Sequence, residues 1–87
     1  MNAKFSKKFI KQYNIAPEFI QQSFDAKVNI FLLDKFDLRL NNHQLSGKLK
    51  KLRSINISGD WRALFVELGN GDVIFEAIGT HSQLYKS

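Results

Sequence analysis

Residues 52–78 read LRSINISGDWRALFVELGNGDVIFEAI. Three runs rich in β-branched and aromatic residues stand out, Leu52 to Ile57, Arg62 to Leu68 and Asp72 to Ile78. Gly69-Asn70-Gly71 joins the last two and is a hairpin signal, because glycine and asparagine tolerate the positive φ of a tight turn. Ser58-Gly59-Asp60 makes the other short connection. The stretch predicts an antiparallel meander of strands. Alternation sends Leu64 and Val66 to one side and Ala63, Phe65 and Glu67 to the other. Both sides therefore carry apolar groups. Helices are expected over one face, with a short C-terminal segment leaning on the other.

The first half supplies those helices. Phe5, Phe9 and Tyr13 recur every four residues, an aromatic stripe on one helical face, while Lys4, Lys7, Lys8 and Lys11 take the flanks and the opposite side. Those lysines suit a solvated face or a docking surface. Pro17 fits a first helical turn, and a second helix is expected from about Pro17 to Lys35. Ile20, Phe24, Val28 and Phe31 form its apolar seam, broadened by Leu32. Asn41-Asn42-His43-Gln44 and Ser46-Gly47 break the periodicity and predict a loop. The expected architecture is α+β, two N-terminal helices packed on a small antiparallel sheet, in one domain over residues 1–87.

With 87 residues, 44% hydrophobic and 13% aromatic, the chain has the means for one small core and is not a disordered polymer. Its net charge of +5 suits phosphate polymers or an acidic protein partner. From Arg39 to Arg53 the basic residues run without an intervening Asp or Glu, and Lys48, Lys50 and Lys51 are candidates for holding RNA. Cysteine is absent, so neither disulfides nor thiolate metal sites are available. The two histidines and dispersed carboxylates show no compact ligand spacing, and no glycine-rich nucleotide loop is visible, so no metal or cofactor is expected. No apolar run approaches the roughly 20 residues of a membrane span. Phe9-Ile10 is followed at once by Lys11-Gln12, which leaves no signal-peptide core. A cytoplasmic protein is expected.

Chemistry concentrates toward the end of the chain, in Asp60-Trp61-Arg62 and Gly79-Thr80-His81-Ser82-Gln83-Leu84-Tyr85. An imidazole accepts and returns protons near neutral pH, which makes His81 the first catalytic candidate and His43 a second. Arg62 offers a planar fork to a phosphodiester, or a salt bridge to Asp60, Glu67 or Glu76. Arg53, if strand pairing brings it near Arg62, would complete an anion site. Asp60 fits a proton acceptor, an orienting partner for Arg62, or a turn residue whose side chain binds backbone. Trp61 suits either base stacking or core packing. Tyr85 suits a contact to phosphate or base, or closure of the C-terminus over the sheet.

These residues resemble the RelE/ParE toxin superfamily, and especially the YafQ-like ribonucleases of type II toxin–antitoxin systems. The resemblance runs from His43-Gln44-Leu45-Ser46-Gly47 through Leu52-Arg53, then Gly59-Asp60-Trp61-Arg62 and Gly79 to Tyr85. It implies a compact antiparallel sheet packed by N-terminal helices, an mRNA substrate cut on the ribosome, and a cognate antitoxin, with a higher-order toxin–antitoxin complex as a further expectation. By similarity His43, Asp60 and His81 fall on active-site positions and Trp61 and Tyr85 on aromatic ones, while Arg53 and Arg62 resemble basic residues of RelE-like nucleases. Two positions depart: Asn56 stands where such proteins can carry a histidine, and Ala77 where they can carry an arginine. Few residues precede the helices, so the family's usual first strand is not expected. A ParE-like inhibitor of DNA gyrase and an RNA-binding relative without catalysis are the alternatives.

Overall fold

A computed structural model describes residues 1–85. The chain runs β1 (Ala3–Phe5), α1 (Lys7–Ile15), α2 (Glu18–Leu33), β2 (His43–Gln44), β3 (Arg53–Ser58), β4 (Trp61–Glu67), β5 (Val73–Thr80) and α3 (His81–Leu84), with 3-10 turns at Leu38–Leu40 and Gly47–Leu49. The sheet order is β1-β5-β4-β3-β2. The meander β3-β4-β5 is antiparallel throughout, and β2 adds to β3 antiparallel. The expected α+β arrangement of helices on a small sheet forms.

Several local expectations are corrected. A first strand does exist: Ala3–Phe5 pairs parallel with Val73–Phe75, making the sheet mixed. Phe5 therefore belongs to β1, and α1 starts only after Ser6, whose side chain caps the helix by accepting the Phe9 N–H. Pro17 is the residue before α2, and the helix ends at Leu33. Leu32 lies 45% exposed, so the buried seam of α2 is Ile20, Phe24 and Phe31, with Val28 and Ile30 partly buried. Within the predicted loop, His43 and Gln44 pair with Ser54 and Arg53 as an edge strand.

The dry side of the sheet is filled by rings. Phe75 on β5 is within 5.4–5.8 Å, centroid to centroid, of Phe9, Phe24, Phe31 and Phe65. Ile55, Ile57 and Ala63 complete that layer, and all three are buried. Each large side chain so removed from water contributes roughly 1.5–3 kcal/mol, which is how so short a chain holds its helices on the sheet.

One irregularity sets the chemistry of the other side. Leu64 pairs with Ala77 but Phe65 pairs with Phe75, so Glu76 is an extra residue in β5. The bulge is stitched to α1: Ser6 donates its hydroxyl to the Glu76 carbonyl at 3.0 Å and its N–H to the Phe75 carbonyl at 3.0 Å. Gln12 Oε1 takes the Ile78 N–H at 2.9 Å. The helix thus satisfies backbone that β1 is too short to reach. Beyond the bulge Ile78 faces the helices, opposite Ala63, while Ala77 and Gly79 face the open side, opposite Leu64 and Arg62.

Candidate active site

The open face carries two rows of cross-strand neighbours. His43, Ser54, Leu64 and Ala77 make one; Asn56, Arg62 and Gly79 make the next. Over them folds α3. Thr80 caps it through a reciprocal pair, accepting the Gln83 N–H at 3.3 Å while its own N–H donates to Gln83 Oε1 at 2.9 Å. Gly79 makes the close approach possible, since a Cβ there would stand 2.9 Å from Gln83 Oε1.

His43, Arg62, His81 and Tyr85 line a single recess of about 330 Å³, with Asn41, Leu45, Ser46 and Leu49 completing its wall. His81 opens α3, and its backbone N–H donates to the Asp60 carbonyl at 2.8 Å, tying the helix to the β3–β4 turn. The Tyr85 ring meets the His81 ring edge-on at 4.5 Å. The Tyr85 hydroxyl reaches the fully buried Ser54, 3.3 Å away. Arg62 is held by its Nη1, which donates to the Gly59 carbonyl at 2.7 Å and the Trp61 carbonyl at 3.0 Å. Its partners are carbonyls of the turn rather than Asp60, Glu67 or Glu76. The remaining guanidinium N–H groups keep their donor capacity for an anion.

His43 is fixed in tautomer as well as position. Its Nδ1 lies 2.8 Å from the Asn41 carbonyl, and a carbonyl only accepts, so Nδ1 bears the hydrogen and in the neutral ring the lone pair is on Nε2. Asn41 adopts a left-handed conformation, φ 47°, at the end of the 3-10 turn, and this aims its carbonyl at the ring. Asn41 was missed in reading the sequence. Asparagine's tolerance of positive φ was the available signal.

Other expected residues stand elsewhere. Arg53 pairs with Phe65 while Arg62 pairs with Asn56, so the two guanidiniums do not meet. Their rows are three positions apart along β3, about 10 Å of strand. Arg53 instead bonds Asn42 Oδ1 through Nε at 2.8 Å and lies over the Phe36 ring. Trp61 turns to the helix side, packing against the core beside Gln12, Ile15, Ala16 and Ile78. Asp60 is exposed on the turn, and its contact with the site is its backbone carbonyl. Lys50 and Lys51 line a separate recess with Arg53, and Lys48 is exposed on the 3-10 turn before them. Asn56 Oδ1, in the same row as Arg62, is buried with no hydrogen-bond partner among the described residues. Among the same residues, no three His, Asp or Glu cluster as metal ligands would.

Neither a protein-family model nor a curated protein sequence matches the chain. Solved structures do. YafQ from E. coli strain BL21(DE3) matches with a TM-score of 0.80 at 18% identity, over 97% of each chain. A YoeB/ParE toxin from Agrobacterium tumefaciens matches with a TM-score of 0.79 at 12% identity, over 93% of this chain and 99% of the other. The RelB–RelE antitoxin–toxin complex from Methanococcus jannaschii matches with a TM-score of 0.74 at 18% identity, over 94% of each. The chain has the RelE/ParE-like toxin fold. Identities this low establish shared architecture. In this RelE/ParE-like fold, the recess lies between the edge strand β2, the β4 arginine and the C-terminal helix.

Proposed function

We propose that this chain is the toxin of a type II toxin–antitoxin system and that it cleaves mRNA on the ribosome. The observation that supports this most is the convergence of His43, Arg62, His81 and Tyr85 on one recess. Two imidazoles and a guanidinium lining one recess suit internal transfer at a phosphodiester. His43 Nε2 takes the proton from the 2′-hydroxyl as the 2′-oxygen bonds to phosphorus. Arg62 stabilises the charge gathering on the phosphoryl oxygens. The phosphorus–5′-oxygen bond breaks, and His81 gives that oxygen a proton. The products are a 2′,3′-cyclic phosphate and a free 5′-hydroxyl, with no external co-reactant consumed. Tyr85 sets the position of the His81 ring.

Asp60 contributes as the turn that holds His81, which favours His43 over it as the base. Arg62 lies on the open face one diagonal step from Ala77, and in this reading it supplies from β4 the positive charge that Ala77 does not. The antitoxin complex of the RelE-fold neighbour supports a cognate antitoxin as the protein partner here.

The test is mapping of mRNA ends on translating ribosomes in EDTA, with a matched message whose cleavage-site 2′-hydroxyl is removed. Cleavage of the first alone is expected. Cutting at the deoxy site would rule out internal transfer. Inhibition of gyrase supercoiling without any mRNA cutting would replace the nuclease reading with a ParE-like one.

A further inference from the structure

Edge strand β2 separates two recesses. His43 lines the one described above. Gln44, the next residue and so directed to the other side of the strand, lines a second of about 390 Å³ with Lys50, Lys51, Arg53, Val66 and Glu67. This second recess is organised around a fixed guanidinium. Arg53 Nε donates to Asn42 Oδ1 at 2.8 Å, and Asn42 is itself anchored by its Nδ2 to the Lys35 carbonyl at 2.8 Å. The guanidinium carbon lies 5.4 Å from the Phe36 ring centroid. Stacking and one hydrogen bond hold the group, while Asn42 uses only one of arginine's five N–H donors. Such a fork loses little freedom when it grips a tetrahedral anion.

The charge of the recess points the same way. Its one carboxylate, Glu67, is engaged by Lys35 Nζ at 2.6 Å. The salt bridges among the described residues are that pair and Arg39–Asp37, so Lys50, Lys51 and Arg53 enter none. Gln44 Nε2 donates to the Lys50 carbonyl at 2.8 Å, fastening the lysine-bearing turn to β2. A preorganised arginine and two exposed lysines thus face a polar hollow one strand away from the imidazoles.

We propose that the second recess binds a backbone phosphate of the RNA strand flanking the phosphodiester cleaved in the first, the strand crossing the β2 edge between them. The placement beside a scissile bond rests on the nuclease reading. Arg53 is then a binding residue that sets how far the enzyme's grip extends, and Arg62 alone supplies the guanidinium to the chemistry.

The test uses a fluorescently labelled single-stranded oligonucleotide with 2′-deoxy sugars throughout, which keeps the phosphates and cannot be cleaved. Anisotropy titrations at several salt concentrations compare wild type with Arg53→Gln, the Lys50→Gln/Lys51→Gln double variant and Glu67→Gln. Arg53→Gln is expected to weaken binding about tenfold and to flatten the log–log salt slope by about 0.7. The lysine pair, being exposed, should lower affinity without changing the melting temperature. Glu67→Gln should tighten binding, the opposite of what loss of a purely structural ion pair would do. On ribosomes Arg53→Gln should raise KM and spare kcat. Wild-type affinity and salt slope in both the Arg53 and the lysine variants would overturn the proposal, and so would a fall in kcat at constant KM for Arg53→Gln. If wild type cuts no mRNA, the nuclease reading fails, while weaker oligonucleotide binding by Arg53→Gln would still establish the phosphate grip.

Discussion

The two faces of the sheet come from the same strands and obey opposite rules. On the helix side, Phe65, Phe75, Ile55 and Ile57 are closed from water and touch other apolar groups. On the open side, Ser54, Asn56, Arg62 and Gly79 alternate with them residue by residue, and α3 with its histidine covers part of that floor. The first face holds the molecule together through area. The second positions a few polar groups around a floor whose Ser54, Leu64 and Ala77 are themselves buried. A site built this way can change its chemistry without endangering the fold, because its side chains are the alternate residues of strands already fixed from behind.

The sharpest way to break the comparison is at its centre. Phe75→Ala should cost about 3–5 kcal/mol, a large share of the stability of so small a domain. Urea titration measures this, and a loss below 1 kcal/mol would mean that the ring cluster is not what secures the sheet. Arg62→Ala, on the other face, should leave the melting temperature nearly unchanged while cutting kcat on ribosome-bound mRNA about 100- to 1,000-fold. A comparable melt with undiminished kcat would remove Arg62 from the chemistry. Thr80→Ala probes the seam between the faces. Removing the cap should cost about 1 kcal/mol and loosen His81, read as a fall in kcat together with loss of the mutual ring-current shifts of His81 and Tyr85. Unchanged shifts would show that the cap does not place the imidazole.

The smallest expected effect is electrostatic. The Lys35 ammonium holds the Glu67 carboxyl below its ordinary range, chiefly by hydrogen bonding and then by charge, with Arg53 adding to it. A depressed folded-state pKa gives stability that is present above the unfolded value and lost as pH falls through the folded one. Both groups are open to solvent in part, which screens the pair, so the loss should stay below about 1 kcal/mol. Acid titration of wild type against Glu67→Gln should show the variant less sensitive on the descent below the ordinary glutamate range. Parallel curves would mean that the pair carries no measurable stability.

Much of this was legible in the sequence, for definite reasons. Gly69-Asn70-Gly71 marks its hairpin because Gly71 takes φ 90°, and the Leu68 N–H then reaches the Asp72 carbonyl at 2.8 Å. Phe24 and Phe31 announced the buried face of α2 through helical spacing. Strand β1 was not legible: three residues carry no periodicity, and their conformation is set by β5 beside them. Leu32 misled because spacing defines a broad stripe, while the sheet covers only part of it. In the site, His43, Arg62, His81 and Tyr85 were identifiable by chemical type, and they do share a recess. The separation of Arg53 from Arg62 was hidden in the pairing register, since composition says nothing of which residue a strand sets opposite another. Trp61 followed the parity of Ala63 and Phe65 to the helix side, which alternation alone would have shown.

The lone surplus residue in β5 governs more than its own position. Were Glu76 instead taken into the ladder opposite Leu64, every side chain after it would exchange sides: Ala77 would turn to the helices, and Ile78 would replace Gly79 opposite Arg62 on the open face. The inside and outside of this molecule are thus assigned by counting, and Ser6, gripping that one surplus carbonyl from the far end of the chain, keeps the count.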